Sequence, residues 1–157
     1  MVNDVSDDGV NRKVIATLNG LIETCKNGEE GFRTAAEGVS DQGVKVAFAK
    51  IARARWQMAR ELQDEVQGLG GQPETSGSIG GAVHRGWMNI KALVAGQDDQ
   101  AIIAEAERGE DIAKAAYDSA LQEPLPPQVL ALVERQAVQV RAAHDQVRAM
   151  VKSAPRS

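Results

Sequence analysis

Cysteine is almost absent: Cys25 stands alone in 157 residues, so no intrachain disulfide can form and no cysteine-rich zinc cluster can be built within one chain. Such usage fits a reducing, cytoplasmic setting. Aromatic residues make up only 3% of the chain and strict polar-apolar alternation is missing, which leaves strands without support. Cations are not in excess either. Eighteen Lys and Arg against 22 Asp and Glu give a net charge of -4, so no basic excess draws the chain to a phosphate backbone or an anionic membrane, and nucleic acid is not an expected partner. No apolar run reaches the roughly 18 residues of a membrane span, so no transmembrane segment is expected. The acidic start Met1-Val2-Asn3-Asp4-Val5-Ser6-Asp7-Asp8 offers neither the positive nor the apolar stretch of a signal peptide. A chain neither exported nor inserted is the reading. Ser/His/Asp arrangements, phosphate loops and dinucleotide fingerprints are missing as well.

What the chain does have is helical periodicity over one domain, with 43% apolar residues to fill its core. A first helix is predicted over about 10–39, with Val14, Leu18, Leu21, Cys25, Gly28, Phe32, Ala35 and Val39 spaced alternately by four and three residues. A second, over about 41–69 and capped by Asp41, carries Val44, Phe48, Ile51, Arg55, Met58, Leu62, Glu65 and Leu69, then stops at Gly70-Gly71. A third, over about 98–122 behind the caps Asp98 and Asp99, places Ile103, Ala106, Glu110, Ala113, Tyr117 and Ala120 on one stripe. The fourth, over about 127–152, starts at Pro127 and turns Val129, Val133, Gln136, Val140, His144, Val147 and Val151 inward.

Short connections make the first and second helices one antiparallel hairpin and the third and fourth another. Residues 70–97 are different. They open on Gly-Gly-Gln-Pro-Glu-Thr-Ser-Gly-Ser-Ile-Gly-Gly and continue through Ala82 to Val94, which reads as a crossover with its own short helix. The expected fold is therefore all-α, a ferritin-like antiparallel four-helix bundle. An up-down-up-down bundle with a helical insertion is the competing topology.

Carboxylates on the inner face of such a bundle invite a di-metal site, for which two helices each supply Glu and the other two each supply Glu-x-x-His. Residues three apart share a helix face, so one carboxylate and one imidazole can reach the same ions. The chain contains no Glu-x-x-His: Arg141 stands three before His144, and Gly81 three before His84.

The runs Leu18-Asn19-Gly20-Leu21-Ile22-Glu23, Gly28-Glu29-Glu30-Gly31-Phe32, His84-Arg85-Gly86-Trp87 and Glu107-Arg108-Gly109-Glu110-Asp111, with Tyr117, resemble a proteobacterial family of ferritin-like four-helix-bundle proteins of unknown function. The resemblance covers nearly the whole chain and implies the fold, but no activity. Set beside di-iron ferritins and rubrerythrins, which it resembles in outline, Arg55-Trp56-Gln57-Met58 stands where Glu-x-x-His is expected, Arg141 holds a Glu place, and Cys25 lies seven before Phe32. Glu110 and His144 keep the matching types.

A negative ligand set has thereby become a mixed one, and an arginine cannot give up its proton to bind a cation. The expectation is a buried cluster at mid-bundle in which Arg55, Glu110 and Arg141 pair and Gln136 and His144 complete the hydrogen bonds, because an unpaired buried ion costs several kcal/mol. Against it stand plainer readings: Arg55 or Arg141 at a stripe edge with its head in solvent, His144 as a satisfied core histidine, and Cys25 as a small core residue. Glu23, Glu29, Glu30, Glu37, Glu105 and Glu107 read mostly as solvated-face charges.

His84, Arg85 and Trp87 read as the anchor of the crossover helix, or as a small anion or ligand pocket. Three functional classes follow. The leading one is a non-enzymatic cytoplasmic bundle, structural or stress-associated, self-associating as a homodimer or larger, with its di-metal site degenerate and no cofactor. The alternative is a di-iron or manganese oxidoreductase or metal-storage protein using Glu107, Glu110 and His144, with Glu30 or Glu65. A helical adaptor for a partner helix or lipid is the third, suggested by the in-helix glycines Gly20, Gly28, Gly31, Gly38 and Gly109.

Overall fold

The computed structural model describes residues 4–75 and 86–153, and every regular element among them is a helix. We number these α1 (Asp4–Gly38), α2 (Gln42–Gly68), α3 (Ile90–Gly96), α4 (Asp99–Ala120) and α5 (Pro127–Ser153). The boundaries have local causes. Asp41 is extended and its carboxylate accepts from Val44 N at 2.9 Å, which satisfies one of the amides left open at the start of α2. Asp98 does the same for α4 through Gln100 N and Ala101 N. Beyond α2, Gly70 has φ 84°, a left-handed value that glycine adopts without a steric penalty. Pro127, which lacks an N–H, opens α5.

In the described part of the crossover, Gly86–Asn89 form a turn and a short helix follows from Ile90. Gly86 lies so close to α4 that an added Cβ would come within 2.8 Å of the Gly109 Cα, and Glu105 Oε2 accepts the Asn89 N–H at 2.7 Å. The turn is thus tied to α4 before α3 starts. His84 and Arg85, expected with Trp87 as the crossover anchor or a small pocket, lie outside the described residues.

Hydrogen bonds at the two ends fix the helix directions. The Asp99 carboxylate, at the start of α4, accepts from Ser40 N at 2.8 Å, Ser40 Oγ at 3.0 Å and Asp41 N at 3.0 Å. The α1–α2 turn therefore meets the start of α4, so α4 runs parallel to α2 and antiparallel to α1. At the far end Gln128 Nε2 donates to Glu65 Oε2 at 2.8 Å, which joins the start of α5 to the end of α2. All neighbouring long helices are antiparallel, and the chain must travel the length of the bundle between α2 and α4. That is the long-crossover connection rather than the up-down-up-down one. No helix among the described residues is long and apolar enough to cross a membrane.

The core divides into two apolar clusters. One, around Leu18, Leu62, Tyr117 and Val133, fills the end nearest the α4–α5 connection. The other, around Phe32, Phe48, Trp87, Ile102 and Val147, fills the end nearest the α1–α2 turn, where Phe32 meets Phe48 and Trp87 edge-on with centroids 5.2 and 4.8 Å apart. Each such buried side chain stabilises the fold by about 1.5–3 kcal/mol. Between the clusters the helices present Gly28, Arg55, Glu110 and His144, so the middle of the bundle is polar.

Candidate functional site

The mid-bundle layer is built around Arg55 of α2 and Glu110 of α4. Nη1 donates to Oε1 at 2.8 Å and Nη2 to Oε2 at 2.6 Å, a two-pronged pair in which the side chains are 2% and 0% exposed. α1 makes room for it. A Cβ on Gly28 would stand 3.0 Å from Arg55 Nη1, so glycine at this seam position leaves space for the guanidinium. The Phe32 ring lies 5.8 Å from Arg55 Cζ and adds a cation-π contact. Burial by itself would lower the Arg55 pKa, but the Glu110 charge and its hydrogen bonds outweigh that and hold it above the ordinary arginine value. Arg55 is thereby held in its charged form.

Towards the α4–α5 end a neutral chain of hydrogen bonds continues from this layer. The Tyr117 hydroxyl donates to Gln136 Oε1 at 2.7 Å, and this leaves its oxygen to accept from the Cys25 thiol at 3.2 Å. Gln136 Nε2 donates in turn to Met58 O at 3.1 Å and Glu61 Oε1 at 2.9 Å. Burial pushes the Cys25 thiol up to about 11 and the Tyr117 hydroxyl well above its usual value. A thiol that holds its proton so firmly is not a nucleophile at neutral pH. Cys25 therefore packs as a small core residue with one weak hydrogen bond.

His144 looks the other way. Its Nε2 lies 2.7 Å from Asp111 Oδ1 and its Nδ1 3.3 Å from Asp145 Oδ1, both on exposed carboxylates. Gln136 likewise bonds to Tyr117, Met58 O and Glu61 rather than to the Arg55–Glu110 pair. The expected five-residue cluster is thus divided: Arg55 and Glu110 form an ion pair, Gln136 belongs to a separate hydrogen-bonded chain, and the buried His144 faces two exposed carboxylates.

Two expectations need correction. Arg141 is half exposed and lies 3.7 Å from the equally exposed Asp118, outside the core. It follows Val140, which is 1% exposed and takes the inward position, and one residue further along a helix is a turn of about 100° away from the seam. Glu105, read as a solvated charge, is 1% exposed; it bonds Arg108 and accepts the Asn89 amide, tying the crossover to α4. Trp87 is buried as the anchor of the crossover. Cβ atoms on Gly31 and Gly109 would lie 2.2 and 2.4 Å from its indole, so those glycines form a slot between α1 and α4.

The residues present do not fit a di-metal centre. Glu110 already gives both oxygens to Arg55, Glu107 is only half-buried, Glu30 is exposed, and Glu65 bonds Gln128 at the bundle end. Among the described residues no group of three or more His, Cys, Asp or Glu is placed to hold a metal ion. Sequence reasoning passed over Asp111 as the partner of His144 and the Cys25–Tyr117 link. The latter had a signal, since Tyr117 follows Glu110 by seven residues on the same stripe.

The element order, the antiparallel neighbours and the long α2–α4 crossover define a ferritin-like bundle. A solved structure with this fold is that of a mutant Dps1 from Mycobacterium smegmatis, with a TM-score of 0.72 and 16% identity over 92% of this chain and 98% of that chain. Residues 13–123 match the model of the family described as Domain of unknown function (DUF2383), and the chain belongs to that family. No curated protein matches it.

Proposed function

We propose that this protein is a non-enzymatic, cytoplasmic ferritin-like bundle with a structural role, in which an ion pair has replaced the di-metal centre. The observation that carries this reading is the buried Arg55–Glu110 pair, with both carboxylate oxygens taken by a permanent cation at the height where metal ligands would converge. A metal ion entering there would have to displace the guanidinium and leave it unpaired in the core, a loss of several kcal/mol. The neutral Cys25 thiol, buried and without redox partner cysteines, suits a reducing compartment.

Elemental analysis of tag-free protein, grown with iron, manganese and zinc supplied, tests the reading. Well under one equivalent per chain, with no oxygen consumed on addition of ferrous iron, is the expected result. About two equivalents of iron or manganese, lost on Glu110→Ala, would return the protein to the oxidoreductase or storage class.

Self-association as a homodimer or larger belongs to the same proposal. It is supported by a stripe on the outer face of α2, Val46, Ala49, Arg53 and Trp56, where Val46 is 52% and Trp56 47% exposed beside a groove of about 710 Å³. Light scattering that gave only the 16.7 kDa monomer mass at every concentration would remove it.

A further inference from the structure

A second concave site lies away from the ion pair, where α1 meets the crossover. It encloses about 260 Å³ and is lined by Asn27, Glu30 and Thr34 of α1 together with Trp87, Ile90 and Lys91. Asn27 is the telling residue. It is 7% exposed, and its Nδ2 is buried without a hydrogen-bond partner among the described residues. A buried donor with no acceptor is destabilising by about 1–3 kcal/mol, and sequences rarely keep one without a use for it. A leucine would fill the same volume without that loss.

We propose that this cavity binds a small molecule, uncharged overall, that presents a carbonyl-type oxygen to Asn27 Nδ2 and rests an apolar body against Trp87 and Ile90. Three features select that chemistry. The orphan group is a donor, so it recognises an acceptor atom. Glu30 and Lys91 line the same cavity with opposite charges, so it favours neither an anion nor a cation. The wall is aromatic and aliphatic, and Trp87 is held fixed between Gly31 and Gly109, so the site exists before the ligand arrives. This inference is independent of the function proposed for the mid-bundle pair and stands or falls separately.

Benzamide is the probe, and the indole N–H resonances of the two tryptophans are the readout. Trp87 lines the cavity, whereas Trp56 sits on the α2 groove and serves as an internal control. Titration of the full chain should move the Trp87 resonance saturably and leave that of Trp56 in place. Asn27→Leu should weaken binding about tenfold, the factor that one neutral hydrogen bond supplies. Ethylbenzene, of similar shape but without an acceptor, should bind the parent protein about tenfold more weakly than benzamide. Thr34→Leu, a change at a half-buried helix position that fills the cavity from its side, should abolish the shift and provides a second variant if Asn27→Leu does not fold. A Trp87 resonance that does not move, or that saturates equally in either folded variant, overturns the proposal. So does benzoate binding more tightly than benzamide, because the site would then select an anion.

Discussion

Arg55 and Glu110 illustrate how far a buried ion pair differs from its separate halves. Arg55→Met leaves the Glu110 carboxylate buried without its cation, and should cost about 3–5 kcal/mol. Arg55→Met with Glu110→Gln removes both charges and should be milder than the single change, by 1 kcal/mol or more on the order of known coupling energies. Urea titrations of the parent, the two single variants and the double variant check this; a double variant as unstable as Arg55→Met would mean the two residues do not depend on each other. The sequence made this pair legible because both residues fall on apolar stripes where a charge needs a partner. The same logic misplaces Arg141, which is half exposed. A counted register cannot separate a seam position from its neighbour when a long side chain is free to reach solvent, and Val140 already filled the inward place.

Contacts between elements were harder to foresee, since they depend on which faces the crossover brings together. Gly31 and Gly109 read as helix-weakening residues in the sequence, yet they form the slot for Trp87. Gly109→Ala should gain about 1 kcal/mol of helix propensity and lose more by pushing the indole out, with a net destabilisation of about 1–2 kcal/mol and a red-shifted Trp87 emission. Gly20 is the control. It has nothing within 4 Å of an added Cβ, so Gly20→Ala should stabilise by about 0.5–1 kcal/mol. Equal responses of the two variants in thermal melts would mean that the slot is not tight.

Asp99 couples elements electrostatically. Its limited burial raises the carboxyl pKa, but hydrogen bonds from Ser40 and Asp41 outweigh that and hold it below the ordinary value of 3.8. A depressed folded pKa means that the stability it contributes is fully present above the unfolded value and is lost as pH falls through the folded one. Asp99→Ala should therefore be less stable than the parent by about 1 kcal/mol at neutral pH. The gap should start to close once pH drops below about 4 and vanish under the folded pKa. Denaturant midpoints measured down the acid range check it, and a gap unchanged at the lowest pH would rule out the carboxylate as its source.

For the molecule as a whole, the question is whether a polar layer between two apolar clusters divides the bundle or joins it. The fold class was readable from the sequence because long stripes at 3.5-residue spacing and one long connection leave few topologies. The division of the core was not, because it depends on which residues of four separate stripes share a height. All four long helices run through both clusters, and the Arg55–Glu110 pair is bonded across the layer, so the two ends should unfold together. The chain carries its own reporters: Tyr117, the single tyrosine, lies in one cluster and Trp87 in the other. Near-ultraviolet dichroism of the tyrosine and emission of Trp87, recorded in a Trp56→Phe background, should give coincident transitions in the parent. Arg55→Met places an unpaired charge at the junction, and there the two transitions should separate, since each end can then shed the defect by opening alone. Separate transitions in the parent would show that the polar layer insulates the ends. Coincident ones in Arg55→Met would show that continuity of the helices, rather than the ion pair, carries the cooperativity.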